Sequence, residues 1–265
     1  MPRWALGSQA GGPATGPAPR RSHEQATRQA MPVYALPDEP AFPHPSLAEP
    51  DGLLGIGGDL SIDRLLLAYA MGIFPWYSAG DPVLWFSPDP RFVLPTDALH
   101  VGRSLRKRVR RGDYRITLDQ AFDQVIRACR SAPRPGQDGT WITDDMVTAY
   151  TDLFEAGFAH SVEAWQGETL VGGLYGVSLG RSFSGESMFA RAPDASKVAF
   201  VWLVRQLARW ELPLVDCQME TPHLARFGGR PMPRADYLAA LRDLIVPPLH
   251  GRRWSFDPDF HPLDA

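Results

Sequence analysis

Covalent cross-links have little to work with in this 265-residue chain: its two cysteines, Cys129 and Cys217, are far apart and outside any Cys-x-x-Cys pair. That usage points to reduced thiols in a cytosolic protein rather than to a secreted disulfide frame. No apolar run is long enough for a signal peptide or a membrane span, so no membrane partner is expected and the cytoplasm is the default location. An excess of either charge is also missing. A net charge of −3 and a pI near 6.2 exclude a global nucleic-acid signature, so binding to RNA would have to come from a local patch. The seven histidines are scattered and no His-Glu-x-x-His or Cys/His cluster occurs, so no metal is expected. Large apolar residues are almost absent from Met1 to Ala30 after Leu6. Such a segment cannot bury enough surface to offset chain entropy; residues 1–30 are expected to be a disordered extension, and the change of composition makes Met31 an alternative start.

Phosphate-binding glycines are equally scarce where they would count. Gly52 to Leu60 is glycine-rich, yet no Gly-Lys-Ser/Thr follows and the Gly-x-Gly-x-x-Gly spacing is not completed, which leaves a tight backbone turn. A coenzyme-A acetyltransferase needs an amide loop for pyrophosphate between a strand and the next helix, and Phe189 to Lys197 holds no glycine. Gly176-Val177-Ser178-Leu179-Gly180 fits Gly-x-Ser-x-Gly, but that elbow requires a strand feeding a helix, and here another strand follows.

What is present is an ordinary apolar share of 44%, ample for one large or two modest domains. Prolines interrupt Met31 to Pro50, predicting an extended surface segment. Ser61 caps a short helix over Ile62 to Met71 with Leu65, Leu66 and Tyr69 on its core face and Gly72 as its stop. Two aromatic segments, Phe74 to Tyr77 and Trp85 to Arg91, are held by prolines; they read either as core plugs or as rigid faces for an unpaired base. A boundary is expected near Arg91 to Leu99, dividing a small N-terminal domain, 31–94, from a larger one, 95–250, with a tail at 251–265. Arg103, Arg106, Lys107, Arg108, Arg110 and Arg111 crowd one segment anchored by Leu105 and Val109, without an interleaved carboxylate until Asp113. Such a run is either a solvated face or a contact for a phosphate backbone. Asp119 to Cys129 predicts a helix, a Pro/Gly-rich loop runs to Gly139, and Thr143 caps the next helix, with Trp141 a third candidate platform.

The centre of the chain is His160 to Gln218. Ser161 to Trp165, Thr169 to Leu179 and Ser182 to Phe189 alternate with Gln-Gly-Glu and Gly-Arg turns and predict an antiparallel meander. A helix capped by Ser196 and a strand over Pro213 to Met219 follow. This order is the one a GNAT-like acyltransferase uses. Glu186 is a lone carboxylate in an apolar strand, costly unless an internal salt bridge or a substrate cation offsets it. Asp216 and Gln218, two apart in a strand, are expected on one face. Phe183 and Glu186 can serve one pocket only if the strand changes face between them, which Gly185 suits by a bulge.

Ordered blocks now carry a resemblance: Pro-Asp-Gly-Leu-Leu-Gly-Ile-Gly-Gly-Asp-Leu-Ser from Pro50, Gly-Ile-Phe-Pro-Trp-Tyr from Gly72, Ser-Pro-Asp-Pro-Arg from Ser87, Gly-Thr-Trp-Ile from Gly139, His-Ser-Val-Glu-Ala-Trp from His160, Gly-Glu-Ser-Met-Phe from Gly185 and Asp-Cys-Gln from Asp216. The chain resembles the leucyl/phenylalanyl-tRNA–protein transferases from about Phe42 to Tyr237. Phe86 stands where that family usually has a second Trp, and Asp194 where it usually has Asn.

The resemblance implies an α/β (α+β) fold, a small N-terminal α/β domain followed by a GNAT-like domain with a mixed, mainly antiparallel sheet. It implies a monomer without metal or organic cofactor that moves Leu or Phe, and less well Met, from its tRNA to proteins with N-terminal Arg or Lys, marking them for N-end rule degradation. Its partners would be Leu-tRNA, Phe-tRNA and those proteins. By the same resemblance Asp216 and Gln218 are catalytic, Asp216 as base or as orienting group. Glu186 binds the acceptor, pairing with the guanidinium or ammonium of its first residue. Trp76 and Trp141 hold the 3′ adenosine; Leu174, Phe183 and Met188 form the Leu/Phe pocket or plain core; and the Arg103 to Arg111 cations meet the tRNA backbone. Two other classes compete: a non-catalytic RNA-binding module, and an amide-forming peptidyltransferase of the cell-wall kind.

Overall fold

A computed structural model describes residues 33–133, 140–246 and 251–264. The expected 1–30 extension and the Met31 start lie outside the described residues, as do residues 134–139 of the Pro/Gly-rich loop. The chain runs through β1 (Tyr34–Ala35), β2 (Leu53–Ile56), α1 (Ile62–Ala70), β3 (Phe74–Pro75), β4 (Leu84–Phe86), β5 (Arg91–Pro95), α2 (Arg103–Arg111), β6 (Arg115–Leu118), α3 (Phe122–Ser131) and α4 (Asp144–Glu155). The meander is β7 (Ala159–Gln166), β8 (Thr169–Leu179) and β9 (Ser182–Ala190), followed by α5 (Ala195–Arg209), β10 (Leu214–Asp216), α6 (Pro222–Arg226), β11 (Arg230–Met232) and α7 (Arg234–Leu244). No helix among the described residues is long and apolar enough to cross a membrane.

The fold is mixed α/β. A four-stranded sheet has the order β1-β2-β4-β3, and a seven-stranded sheet the order β11-β5-β10-β9-β8-β7-β6. In the larger sheet only β9 and β10 run parallel, as the α5 crossover between them requires. Alternation along β8 sorts its side chains between two cores. Tyr175 and Val177 join Leu65, Tyr69 and Trp85 from the N-terminal elements and Phe122 and Tyr150 from α3 and α4. Leu174 joins Phe183 and the apolar face of α5 on the other side.

Local signals account for most element ends. Ser61 and Thr143 accept hydrogen bonds from Arg64 N and Met146 N, each filling one orphan donor of its helix. Leu105 and Val109 of α2 are buried, each worth roughly 1.5–3 kcal/mol on full burial, and this apolar pair holds a helix otherwise made of cations. Three expectations are corrected. Within Gly52 to Leu60 the expected turn is confined to Gly57 and Gly58, and Leu53–Ile56 before it form a strand, β2, because Leu53 and Ile56 pair with β4. Helix α5 starts at Ala195 with Asp194, not Ser196, at its cap; Asp194 has φ 61, a left-handed position that Asn and Asp tolerate. Strand β10 ends at Asp216, because Gln218 turns left-handed with φ 59.

Residues 251–264, expected as part of a tail, lie on the core. Trp254 stacks on His160 at 3.6 Å and its backbone N–H donates to Asp119. Burial pushes the His160 pKa down. A Cβ on Gly251 would lie 1.9 Å from Ala156 O, so the segment approaches the α4 end more closely than any side chain allows.

Candidate active site

A cavity of about 600 Å³ opens where the four-stranded sheet meets β8, β9 and α6. Trp76 and Trp141 stand on its wall, as do Leu174, Phe183 and Met188, so the structure brings these five residues together. Phe86 meets Trp76 edge-on at 5.6 Å and so buttresses the indole. Phe183 lies over Gly176, where a Cβ would come within 2.5 Å of its ring; the missing side chain is what lets that ring form the wall.

Glu186 lines the same cavity. The register shifts between the pairs Tyr175↔Ser187 and Gly176↔Gly185, leaving Glu186 as the extra residue of a bulge. The face change expected at Gly185 is therefore present. No salt bridge to Glu186 occurs among the described residues. Its carboxylate instead accepts from Tyr69 Oη at 2.8 Å and Gln218 Nε2 at 2.8 Å, with Tyr150 Oη 3.3 Å from its other oxygen. Burial, with Asp216's charge adding to it, raises its pKa to about 7, although the phenol and amide donors pull the other way.

Asp216 is built differently. It is fully buried, accepts from Arg91 Nε at 2.7 Å and Arg91 Nη2 at 2.6 Å, and also takes the Tyr237 hydroxyl at 3.0 Å. Its neighbours Val215 and Cys217 line the cavity, and its own side chain does not. Asp216 and Gln218 do not share a strand face. They are joined otherwise: the backbone N–H of Gln218 donates to Asp216 Oδ1 at 2.9 Å while its side chain reaches Glu186. Burial opposes the charge on Arg91, yet Asp216 holds its pKa above the ordinary value.

The α2 cations separate into two groups. Arg108 pairs with Asp113 and Asp194, and Arg111 with Asp113. Arg103, Arg106, Lys107 and Arg110 are exposed and have no carboxylate partner among the described residues. Ser178, of the rejected elbow, spends its hydroxyl on Ser182 O at 3.2 Å.

Reading the sequence missed several cavity residues: Tyr175, Phe200, Cys217, His223 and Leu224. Burial pushes the Cys217 thiol up, so it stays protonated. Tyr69 and Tyr150, behind Glu186, also went unseen as site residues; Tyr69 read only as core, and nothing local to either helix points to a carboxylate more than thirty residues away.

The cavity thus joins aromatic walls to one carboxylate that lacks a cation among the described residues, a concave and mostly apolar place with a few convergent polar groups, as small-molecule sites are. The family model described as leucyl/phenylalanyl-tRNA protein transferase matches residues 93–242, and that of its N-terminal domain residues 58–89. The leucyl/phenylalanyl-tRNA–protein transferase of Anaeromyxobacter sp. (strain Fw109-5) is 60% identical over 236 residues, covering 89% of this chain and 100% of its own. Those of Myxococcus xanthus (strain DK1622) and Nitratidesulfovibrio vulgaris (strain DP4) are 58% and 57% identical, covering 85% and 88% of this chain and 97% and 100% of their own. The chain belongs to the leucyl/phenylalanyl-tRNA–protein transferase family. It is an aminoacyltransferase, taking an aminoacyl group from tRNA to a protein.

Proposed function

We propose that this chain moves Leu or Phe, and less well Met, from its tRNA to the N-terminal Arg or Lys of acceptor proteins, marking them for N-end rule degradation in the cytoplasm, and that it does so as a monomer of GNAT-like fold. The carrying observation is the pairing, in one cavity, of an apolar wall at Leu174, Phe183 and Met188 with a carboxylate, Glu186, that no cation among the described residues pairs with. An apolar side chain suits the first, and only a cationic acceptor suits the second. Trp76 and Trp141 stack on the terminal adenosine, and the α2 cations, led by Arg103, Arg106, Lys107 and Arg110, follow the tRNA backbone.

The chemistry asks little of the protein, because an aminoacyl ester is already activated and positioning an uncharged amine against its carbonyl supplies much of the rate. An α-amine has a pKa of roughly 7.7–8, so a useful fraction is neutral at pH 7. Gln218 meets that amine, and the ion pair of Asp216 with Arg91 supports an orienting role for Asp216, which holds the Gln218 backbone. The test is to incubate the protein with radiolabelled Leu-tRNA and either an Arg-initiated peptide or a peptidoglycan precursor. Label in the Arg-initiated peptide alone is expected. Label in the precursor would assign a cell-wall peptidyltransferase, and tRNA binding without label in either would leave an RNA-binding module.

A further inference from the structure

Three side chains meet behind the cavity wall: Tyr69 Oη and Tyr150 Oη lie 2.5 Å apart, Tyr69 Oη lies 2.8 Å from Glu186 Oε1, and Tyr150 Oη lies 3.3 Å from Glu186 Oε2. Each contact needs one proton between its oxygens to be attractive. With Glu186 ionised, the two phenols supply two protons for three contacts. The short contacts take them, as the chain Tyr150 to Tyr69 to Glu186, and the longest is left without one. One more proton, placed on Glu186 Oε2, completes a ring in which each phenol and the carboxyl group donates once and accepts once. The triangle has room for a single proton.

We propose that Glu186, closed by Tyr69 and Tyr150, is the proton acceptor of the transfer, holding the proton that leaves the acceptor's amine and returning it to the ribose oxygen of the tRNA. This rests on the reading of the cavity as the aminoacyl-transfer site, and it takes the acceptor's α-amino group, cationic until it loses its first proton, as the group that Glu186 and the adjoining Gln218 side chain both meet. The neutral amine attacks the ester carbonyl carbon and the C–N bond forms. The nitrogen loses a proton to Glu186. The bond from that carbon to the ribose oxygen breaks, its electron pair leaving on the oxygen, which takes the proton back from Glu186. One proton enters the triangle and one leaves, so no cofactor or outside base is consumed. Asp216 is unsuited to this work, being closed off from the cavity by Arg91 and Tyr237.

The surroundings set the midpoint. Tyr69 comes from α1, Tyr150 from α4 with Tyr77 behind it, Gln218 and Asp216 from β10 and its turn, and the Arg91 guanidinium from β5. Burial raises Glu186 to about 7, near working pH, where a group that must both take and return a proton is most effective. Tyr69 and Tyr150 are themselves held well above the usual phenol range, chiefly by burial and then by Glu186, so they pass protons without ionising.

Two measurements test this. Infrared titration of the substrate-free protein, taken as the difference between wild type and Glu186→Gln, should show one carboxylic acid with a midpoint near 7, moved to higher pH in Tyr69→Phe, which loses a donor to the ionised form. Single-turnover transfer from saturating Leu-tRNA to an Arg-initiated peptide should fall about 100-fold or more in Glu186→Gln, with Leu-tRNA affinity unchanged, and the acidic limb of its pH profile should shift upward in Tyr69→Phe. An ordinary carboxylate midpoint, an unmoved limb, or full turnover in Glu186→Gln overturns the proposal. A wild-type protein that labels no Arg-initiated peptide while its infrared midpoint stands near 7 overturns the functional reading instead.

Discussion

Asp216 and Glu186 sit on parallel neighbours in one sheet, the first fully buried and the second half-buried at the cavity wall, and the protein treats them in opposite ways. Asp216 receives a two-pronged guanidinium, a phenol and a backbone N–H. Glu186 is surrounded by two phenols and an amide, all neutral. A buried charge that the fold satisfies by itself belongs to the framework; one left without a counter-charge is held ready for something that arrives. Arg91 makes the first kind possible by joining β5 to β10 across 125 residues of chain, with its guanidinium over Phe74 and Tyr237 at 4.8 and 4.9 Å.

The sharpest way to break this comparison is to remove one partner from the satisfied pair. Arg91→Met leaves Asp216 buried and unpaired and should cost about 3–5 kcal/mol in urea denaturation; a loss below 1 kcal/mol, on the order of a surface pair, would mean that the ion pair is not what anchors β10. Next come the platforms: Trp76→Ala and Trp141→Ala should each weaken binding of an aminoacyl-adenosine mimic by about 1–3 kcal/mol, and unchanged binding by folded variants would return both rings to the core. A smaller effect has the opposite sign. Between about 4.5, its unfolded value, and about 7 the folded protein holds a Glu186 proton that the unfolded chain has released, so this stabilisation is full below 4.5 and is lost as pH rises through 7. Glu186→Gln should therefore be more stable than wild type at about pH 8, with the gap closing at about pH 4; equal midpoints at both would show that Glu186 titrates normally. Least of all, the triple change of Arg106, Lys107 and Arg110 to Ala should leave stability within about 0.5 kcal/mol while flattening the salt dependence of tRNA binding by up to roughly 0.9 per cation. Equal slopes would take α2 out of the RNA contact.

Much of the framework was legible because its signals are local. Gln-Gly-Glu and Gly-Arg located both hairpins, Ser61 and Thr143 their helices, and Gly185 the bulge that turns Glu186 into the cavity. Family membership was legible in the ordered motif blocks, and the relatives match this chain over most of its length. What failed was a different kind of signal. Period-two reasoning put Asp216 and Gln218 on one face, and a single left-handed residue broke the period. The same conformation at Asp194 moved the start of α5. The α2 run looked unneutralised because the partner of Arg108 at Asp194 lies far along the chain. Tyr69, Tyr150 and Arg91 acquire their meaning only from residues that tertiary structure brings to them.

Residues 251–264 are synthesised after everything they cover. Until Trp254 emerges, one face of His160 lies open to water and Asp119 lacks the N–H that Trp254 donates to it; Trp202 likewise waits for Phe256 and Phe260. A nascent chain still tethered to the ribosome thus carries an aromatic seam beside a complete meander, the sort of incompletely covered surface that invites aggregation. The last helical turns of α5 also wait, since Arg209 and Trp210 find their carboxylate at Asp257. Closure of this seam therefore waits on a segment that follows every element it covers, so the order of synthesis leaves the face around His160 and Trp202 as the last part of the core to be sealed.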